Sequence, residues 1–140
     1  MKYLLIIFLL LMGISGTVNA QENTDNSVGC ERYFSESYVS DGQHYMSLLS
    51  GEDVAEFKIL FYEKTEYRIS ACSSTPGVEL EYRVYDQERN MLFSSTENGY
   101  SPFWNFRFES TMECFIEAKI KGGSPESGMA TLLIGFKNID

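Results

Sequence analysis

One histidine and twenty acidic residues are the side chains that could do catalytic chemistry in this sequence. His44 follows a predicted Asp41-Gly42 turn, but a nucleophilic triad would also need an orienting carboxylate and a serine or cysteine in a recognisable turn. The sequence contains no Gly-x-Ser-x-Gly turn that would mark such a nucleophile. The acidic residues could include a glycosidase pair, but most of them alternate with apolar residues and therefore face solvent. We predict that the protein is not an enzyme.

One short segment has the residue types of a calcium site. Asp86, Glu88 and Asn90 place oxygen ligands at alternate positions, as calcium loops do, and we keep them as a calcium candidate. The segment lacks the central glycine and the closing glutamate of an EF-hand loop. The alternative is a polar hairpin turn closed by side-chain hydrogen bonds of the Asx type. No cluster of zinc or copper ligands is present, and we predict no cofactor.

An aromatic stretch is the set of residues that we favour for ligand binding. Tyr100 precedes a predicted strand, and Phe103 is out of phase with the core positions of that strand, on the same face as Asn105 and Arg107. Phe115 is likewise out of phase in the next strand. Exposed rings beside polar side chains can bind a sugar or a partner protein. These five residues form the predicted binding site for an extracellular glycan or protein of unknown identity.

Two packing expectations accompany that site. Trp104 is in phase with Phe106 and Phe108, so we place its ring in the core. The N-terminal segment carries further rings that need cover, and its packing over the predicted site is the alternative interpretation. The rings concerned are Tyr33, Phe34 and Tyr38.

Three cysteines can form one disulfide and leave one free thiol. Cys114 is in phase with the core position Ile116, whereas Cys72 is out of phase with Ile69 and should face outward beneath a covering segment. Cys30 opens the segment that we expect to cover that face, so Cys30–Cys72 is the predicted pair and Cys114 the free thiol. One irregular residue in either strand would exchange the two faces, which leaves a bridge to Cys114 as the alternative.

The elements that must position these residues are strands. From Tyr45 to Phe136 apolar and polar residues alternate, and Gly, Pro, Asn and Asp mark the breaks. This pattern predicts an all-β fold, an antiparallel β-sandwich of jelly-roll type with about eight strands, after a possible short helix near the N-terminus. The predicted strands lie at residues 45–49, 57–61, 67–71, 80–84, 91–93, 104–108, 116–120 and 130–136.

The first twenty residues have the composition of a signal peptide. Lys2 precedes the apolar run Leu4–Met12, and Val18-Asn19-Ala20 is a small-x-small cleavage signal. An uncleaved anchor is the alternative, but the apolar run is shorter than the ~20 residues of a membrane span. We therefore predict a signal peptide over 1–20, a disordered tail over 21–29 and one domain over 30–140. The mature protein should be secreted or periplasmic and should have no membrane span.

The charge of the mature chain excludes two classes of partner. Removal of residues 1–20 takes away only Lys2 from the 11 basic residues, which leaves 10 basic residues against 20 acidic ones, a net charge of −10. Nucleic acid binding relies on Lys and Arg that neutralise phosphates, and an anionic membrane surface also attracts basic segments. We predict that the protein binds neither nucleic acid nor an anionic membrane.

Several strands resemble those of a bacterial extracellular domain. Glu66–Ala71, Leu80–Asp86 and Asn90–Phe93 resemble the "T-Y-x-I-x-V", "L-x-L-x-D" and "G-x-x-L" strands of the pre-peptidase C-terminal domain. The resemblance covers residues 43 to 137 and implies a β-sandwich, although Thr111-Met112-Glu113 stands where that family has a small-Gly-Thr turn. The chain also resembles a group of small secreted bacterial proteins that share "Y-R-I-x-A-C" and "F-W-x-F-x-F" motifs. The second likeness implies no function.

The function that these patterns favour is a secreted, non-catalytic binding or accessory module. One alternative is a structural or stress-related envelope protein that binds another protein. The other is a small secreted hydrolase, for which the sequence shows no catalytic motif.

Overall fold

The computed structural model describes residues 28–35, 37–123 and 127–139. The predicted signal peptide (1–20) and residues 21–27 of the predicted tail lie outside the described residues. Val28 and Gly29, the last two residues of that tail, belong to a helical turn, α1 (Val28–Glu31). No helix in the described ranges is both long and apolar enough to cross a membrane.

Nine strands make up most of the described chain, and they include all eight predicted strands. The additional one is a short strand of two residues that precedes the first predicted strand. The strands are β1 (Val39–Ser40), β2 (Tyr45–Ser50), β3 (Val54–Phe61), β4 (Thr65–Ser73), β5 (Leu80–Tyr85), β6 (Met91–Ser94), β7 (Phe103–Arg107), β8 (Met112–Ile120) and β9 (Ser127–Asn138).

The strands form two antiparallel sheets. In sheet A, β1 and β2 both pair with β9, β9 pairs with β4, and β4 pairs with β7. In sheet B the order is β3-β8-β5-β6. The order 2-9-4-7 against 3-8-5-6 is that of a jelly roll, in which two Greek keys are folded into two facing sheets. The predicted antiparallel β-sandwich is confirmed.

The core lies between the sheets because alternate residues of each strand point inward. Tyr67, Ile69 and Ala71 of β4 are buried from the side of sheet A, and Ile116 of β8 is buried from the side of sheet B. Cys114 is fully buried and does not form a disulfide, as predicted. Burial raises the pKa of its thiol to about 11, so the side chain behaves as a small apolar group.

An N-terminal strap, residues 28–35 and 37–38, runs across the outer face of sheet A. It is tied to β4 by the Cys30–Cys72 disulfide, whose Cα atoms are 5.8 Å apart, and the predicted pairing is confirmed. Gly135 of β9 lies under the strap, where an added Cβ would come within 2.8 Å of the Phe34 ring. A side chain at this position would therefore push the strap off the sheet. Disulfides persist in oxidising compartments, which agrees with a location outside the cytoplasm.

The outer edge of sheet A is broken between β1 and β2. The predicted Asp41-Gly42 turn interrupts it, with Gly42 at φ 75° and the Asp41 carboxylate accepting a hydrogen bond of 2.9 Å from the Gln43 amide. The pairing of β1 with β9 ends at Ser40 and that of β2 begins at Tyr45. This break determines where the sandwich opens.

Candidate functional site

Three residues of the predicted site lie on the outer face of sheet A beside the strap. Phe103 of β7 is half-buried, and Asn105 of the same strand is exposed. The centroids of the Phe103 and Tyr33 rings are 5.6 Å apart. Arg68 of β4 links the strap to β7, since its side chain donates hydrogen bonds of 2.8 Å both to the Asn105 side chain and to the Tyr33 carbonyl. The alternative interpretation, that the N-terminal segment packs over these rings, therefore describes this face.

Arg107, the third of them, belongs to a cluster of charges around Glu66. Glu66 is 7% exposed and accepts a hydrogen bond of 2.6 Å from the Tyr38 hydroxyl of the strap. Arg107 and Lys137 pair with the same carboxylate at 2.7 and 2.9 Å. Hydrogen bonds from Tyr38, Lys137 and Arg107 lower the pKa of Glu66 to about 2. These contacts fasten the strap to sheet A, which gives Arg107 a structural role.

The low pKa of Glu66 predicts an acid-sensitive contribution to stability. Because the folded-state pKa lies below the ordinary value of 4.5, the contribution is present above about pH 4.5 and is lost as the pH falls towards about 2. We expect Glu66→Gln to lower the free energy of unfolding by about 1–3 kcal/mol at pH 6, and to cost much less at pH 2.5. Thermal unfolding of both proteins at the two pH values measures this. An equal loss at both would contradict the assignment.

Tyr100 lies apart from these three residues, at the end of the sandwich near the disulfide. It has a left-handed backbone, φ 56°, and is 44% exposed, with the Lys121 ammonium 4.2 Å from the centroid of its ring. Lys121 also pairs with Glu79 at 2.8 Å. A groove of about 160 Å³ lies here between Tyr100 and the strap residues Arg32 and Tyr33. We call it the Tyr100 groove.

Phe115 does not join the other predicted residues. It lies in β8, on the outer face of sheet B, with the Arg89 guanidinium 4.0 Å above its ring. β7 and β8 are consecutive strands but belong to opposite sheets, so residues that are out of phase in the two strands point away from each other. The five predicted residues therefore do not form one platform.

Trp104 is only partly inside the core that was predicted for it. Its ring faces inward and lies 5.1 Å from the Phe93 ring, but the residue remains 39% exposed. The reason is its position on β7, an edge strand where the two sheets are not joined.

The calcium candidate, Asp86 with Glu88 and Asn90, has the geometry of a polar hairpin turn, which was the alternative interpretation. Both carboxylate oxygens of Asp86 accept hydrogen bonds from Asn90, one from the backbone at 2.8 Å and one from the side chain at 2.9 Å, while Glu88 is exposed. Asn90 also lowers the pKa of Asp86 through these bonds. Across the part of the chain that the structure describes, no three His, Cys, Asp or Glu side chains are grouped to hold a metal ion.

His44 is exposed at the break between β1 and β2, on a cavity of about 180 Å³.

A larger cavity, of about 390 Å³, opens between the two sheets at the same break. We call it the inter-sheet cleft. Its volume lies in the range of roughly 300–1,000 Å³ that is usual for ligand-binding sites. Its walls are apolar and aromatic side chains of both sheets: Tyr45, Ile59, Tyr67, Ile134 and Phe136.

The rim of the cleft presents two exposed apolar residues. Leu60 is 48% and Tyr62 is 56% exposed, and both border the cavity. The amide of Tyr62 donates a hydrogen bond of 2.9 Å to the hydroxyl of Tyr67 in the wall, so the rim is held in a defined position. Exposed apolar residues around an apolar cavity are typical of interaction sites.

The polar groups at the mouth are paired with one another. The Tyr45 hydroxyl donates a hydrogen bond of 3.1 Å to Asp41, and Lys58 pairs with Glu113 at 3.0 Å. Burial, together with the charge of Asp41, raises the pKa of Tyr45 to about 12, so its hydroxyl stays neutral. The cleft therefore offers a mainly apolar surface to a ligand, and Asp41, Tyr45 and Lys58 at its mouth are already engaged.

Sequence reasoning missed the cleft because its walls have the same alternation as the core. Ile59, Tyr67 and Ile134 read as ordinary inward positions of their strands. The signal that could have located it was the Asp41-Gly42 turn, since a turn inside an edge strand leaves the core beneath it uncovered. The second signal was Tyr62, an aromatic residue that is out of phase with the inward positions Ile59 and Phe61 of β3.

Comparisons with known proteins identify a fold and no family. No family model matches the sequence, and no curated protein matches it at a significant level. Among solved structures the chain is similar to PliG of Aeromonas hydrophila, a periplasmic lysozyme inhibitor of g-type lysozyme. The identity is 10%, the TM-score is 0.54, and the match covers 74% of this chain and 91% of PliG. At this identity the likeness shows the shared fold alone, and the resemblance to the pre-peptidase C-terminal domain stays a prediction.

Proposed function

We propose that the protein is an exported, non-catalytic protein-binding module of the inhibitor type, and that its partner docks over the inter-sheet cleft. The observation that carries the proposal is the apolar cleft whose rim exposes Leu60 and Tyr62. In protein interfaces a few aromatic or aliphatic anchors in desolvated pockets supply most of the affinity. A cleft of this size can accept one such side chain from the partner. Leu60 and Tyr62 at the rim would then shield that side chain from water.

The rigidity of the framework supports this function. The disulfide and the Glu66 cluster fasten the strap at its two ends to sheet A, so this sheet, which forms one wall of the cleft, loses little conformational freedom on binding. The hydrogen bond between Tyr62 and Tyr67 does the same for the rim.

The charge of the chain favours a basic partner. The net charge is −9, and in the loops at the Tyr62 end of the sandwich two exposed glutamates, Glu63 and Glu109, outnumber the one exposed lysine, Lys64. Such a surface accelerates the association of a positively charged protein and repels acidic ones. Together with the likeness to PliG, this makes an extracytoplasmic lysozyme the first partner to test.

The decisive experiment compares two exposed tyrosines at opposite ends of the sandwich. Tyr62 borders the cleft and Tyr100 borders the other groove, and both are about half exposed. We expect a g-type lysozyme to bind the unaltered protein and to lose activity on binding. Tyr62→Ala should weaken binding by about tenfold to a hundredfold, the usual effect of removing a hot-spot side chain. Tyr100→Ala, the matched control, should leave the dissociation constant within about twofold.

Two results would contradict the proposal. One is the absence of any complex with g-type lysozyme at micromolar concentrations. The other is loss of binding in Tyr100→Ala with Tyr62→Ala unaffected, which would move the interface to the Tyr100 groove. The predicted glycan ligand stays a prediction, and titration of both variants with peptidoglycan fragments tests it separately.

A further inference from the structure

Strand β2 has an open edge with exposed apolar side chains. It pairs with β9 on one side, and no described strand pairs with its other side. Met46 is 46% and Leu48 is 65% exposed, and the strand has no charged residue. The backbone donors and acceptors of such an edge can pair with another strand, except at Ser50, whose amide and carbonyl are engaged with Asp53.

The four other outer strands are protected in ways that β2 is not, and β1 has only two residues. β3 carries Glu56 and Lys58, and β7 ends with Arg107. β6 has only four residues, and its register against β5 is shifted next to Val84. Charges, short strands and bulges are the usual means by which proteins prevent edge-to-edge pairing. β2, with six residues, has none of them.

The charges that flank β2 determine which strand can pair with it. Asp41 precedes the strand, and Glu52 and Asp53 follow it. An antiparallel pair formed with a second copy would bring the Asp41 end of one chain to the Glu52–Asp53 end of the other. Like charges at such positions are unfavourable. A strand of uncharged residues with a basic residue at each end avoids this repulsion and gains two attractive pairs.

We infer that β2 binds an extended segment of a basic partner protein by strand addition. The partner segment carries uncharged residues where it lies along β2 and a basic residue at each end. Strand addition supplies affinity through main-chain hydrogen bonds, and the alternate side chains supply specificity. The inference rests on the proposed protein-binding function and adds the form in which the partner is held. Because the β1–β2 break lies over the cleft, a strand on β2 would lead the partner chain directly to it.

The inference can be tested without the natural partner. The probe is the peptide acetyl-KTVTVTK-amide, titrated into the isotope-labelled protein at low salt, and acetyl-ETVTVTE-amide is its matched control. We expect amide shift changes confined to β2 and its neighbours, and affinity about tenfold higher for the basic peptide. Equal affinities, changes that map elsewhere, or no changes at millimolar peptide would overturn the inference.

Two leucine variants complete the test. Leu48→Lys places a charge on the β2 edge, and Leu92→Lys places the same charge on β6, where the leucine is 47% exposed. We expect Leu48→Lys to weaken peptide binding by about tenfold or more and Leu92→Lys to leave it unchanged. A dimer that Leu48→Lys dissociates in sedimentation would instead identify a second copy as the occupant and overturn the inference. If lysozyme binding depends on Tyr62 but not on Leu48, the proposed function stands and strand addition fails.

Discussion

Cys30→Ser is expected to lower the free energy of unfolding by about 4 kcal/mol, the chain-entropy value for a bridge that spans 42 residues. A domain of this size is usually stable by only about 5–15 kcal/mol, so the loss is a large part of the total. The strap should also loosen at its Cys30 end, because the disulfide is its covalent attachment to β4. Denaturant unfolding of the oxidised protein and of the variant measures the difference.

Thiol labelling provides the control for that experiment. In Cys30→Ser, alkylation of the native protein should modify Cys72 and spare Cys114, which is fully buried. The double variant Cys30→Ser/Cys72→Ser should be about as stable as the single variant, since both lack the same bridge. Rapid labelling of Cys114 in the native state, or an additional large loss in the double variant, would show that the thiols are not arranged as described.

Tyr67→Ala is expected to cost about 3–5 kcal/mol, the range for truncation of a large buried aromatic residue. The ring of Tyr67 is almost completely buried and lies 4.7 Å from Phe61, 6.0 Å from Phe108 and 6.4 Å from Phe136. Its removal would leave a cavity continuous with the inter-sheet cleft. Chemical denaturation measures the loss, and partner binding should be lost with it.

Tyr67→Phe tests whether the hydrogen bond that positions the rim affects binding, with little change in the packing of the core. It keeps the ring but removes the hydroxyl that accepts the hydrogen bond of the Tyr62 amide. We expect a loss of about 0.5–1.5 kcal/mol in stability, with measurably weaker binding of the partner because the rim is less constrained. Unchanged binding in Tyr67→Phe would show that the position of Tyr62 does not matter to the interface.

The strands and the faces of the cysteines were predictable because both follow from period-two alternation. Cys114 is in phase with Ile116 and is buried, while Cys72 is out of phase with Ile69 and faces the strap. Alternation assigns a residue to one of two faces whenever the strand is regular. The faces of Cys72 and Cys114, and with them the choice of Cys72 for the disulfide, therefore followed from the alternation alone.

The binding site was not predictable in the same way, since alternation does not say to which sheet a strand belongs. Phe103 and Phe115 have the same phase in consecutive strands, yet they lie on opposite outer faces. Coverage by the strap depends on tertiary contacts such as Phe34 against Gly135, which no local pattern encodes. The cleft depends on where Asp41 breaks an edge strand above the core.

Isoleucine methyl NMR tests the central claim, that the partner docks over the inter-sheet cleft, most directly. Ile59 and Ile134 line the cleft, whereas Ile116 and Ile120 are almost completely buried and do not line it. On saturation with unlabelled g-type lysozyme, the methyl signals of Ile59 and Ile134 should shift, and those of Ile116 and Ile120 should stay close to their free positions. A saturated complex in which Ile59 and Ile134 do not shift would contradict the claim.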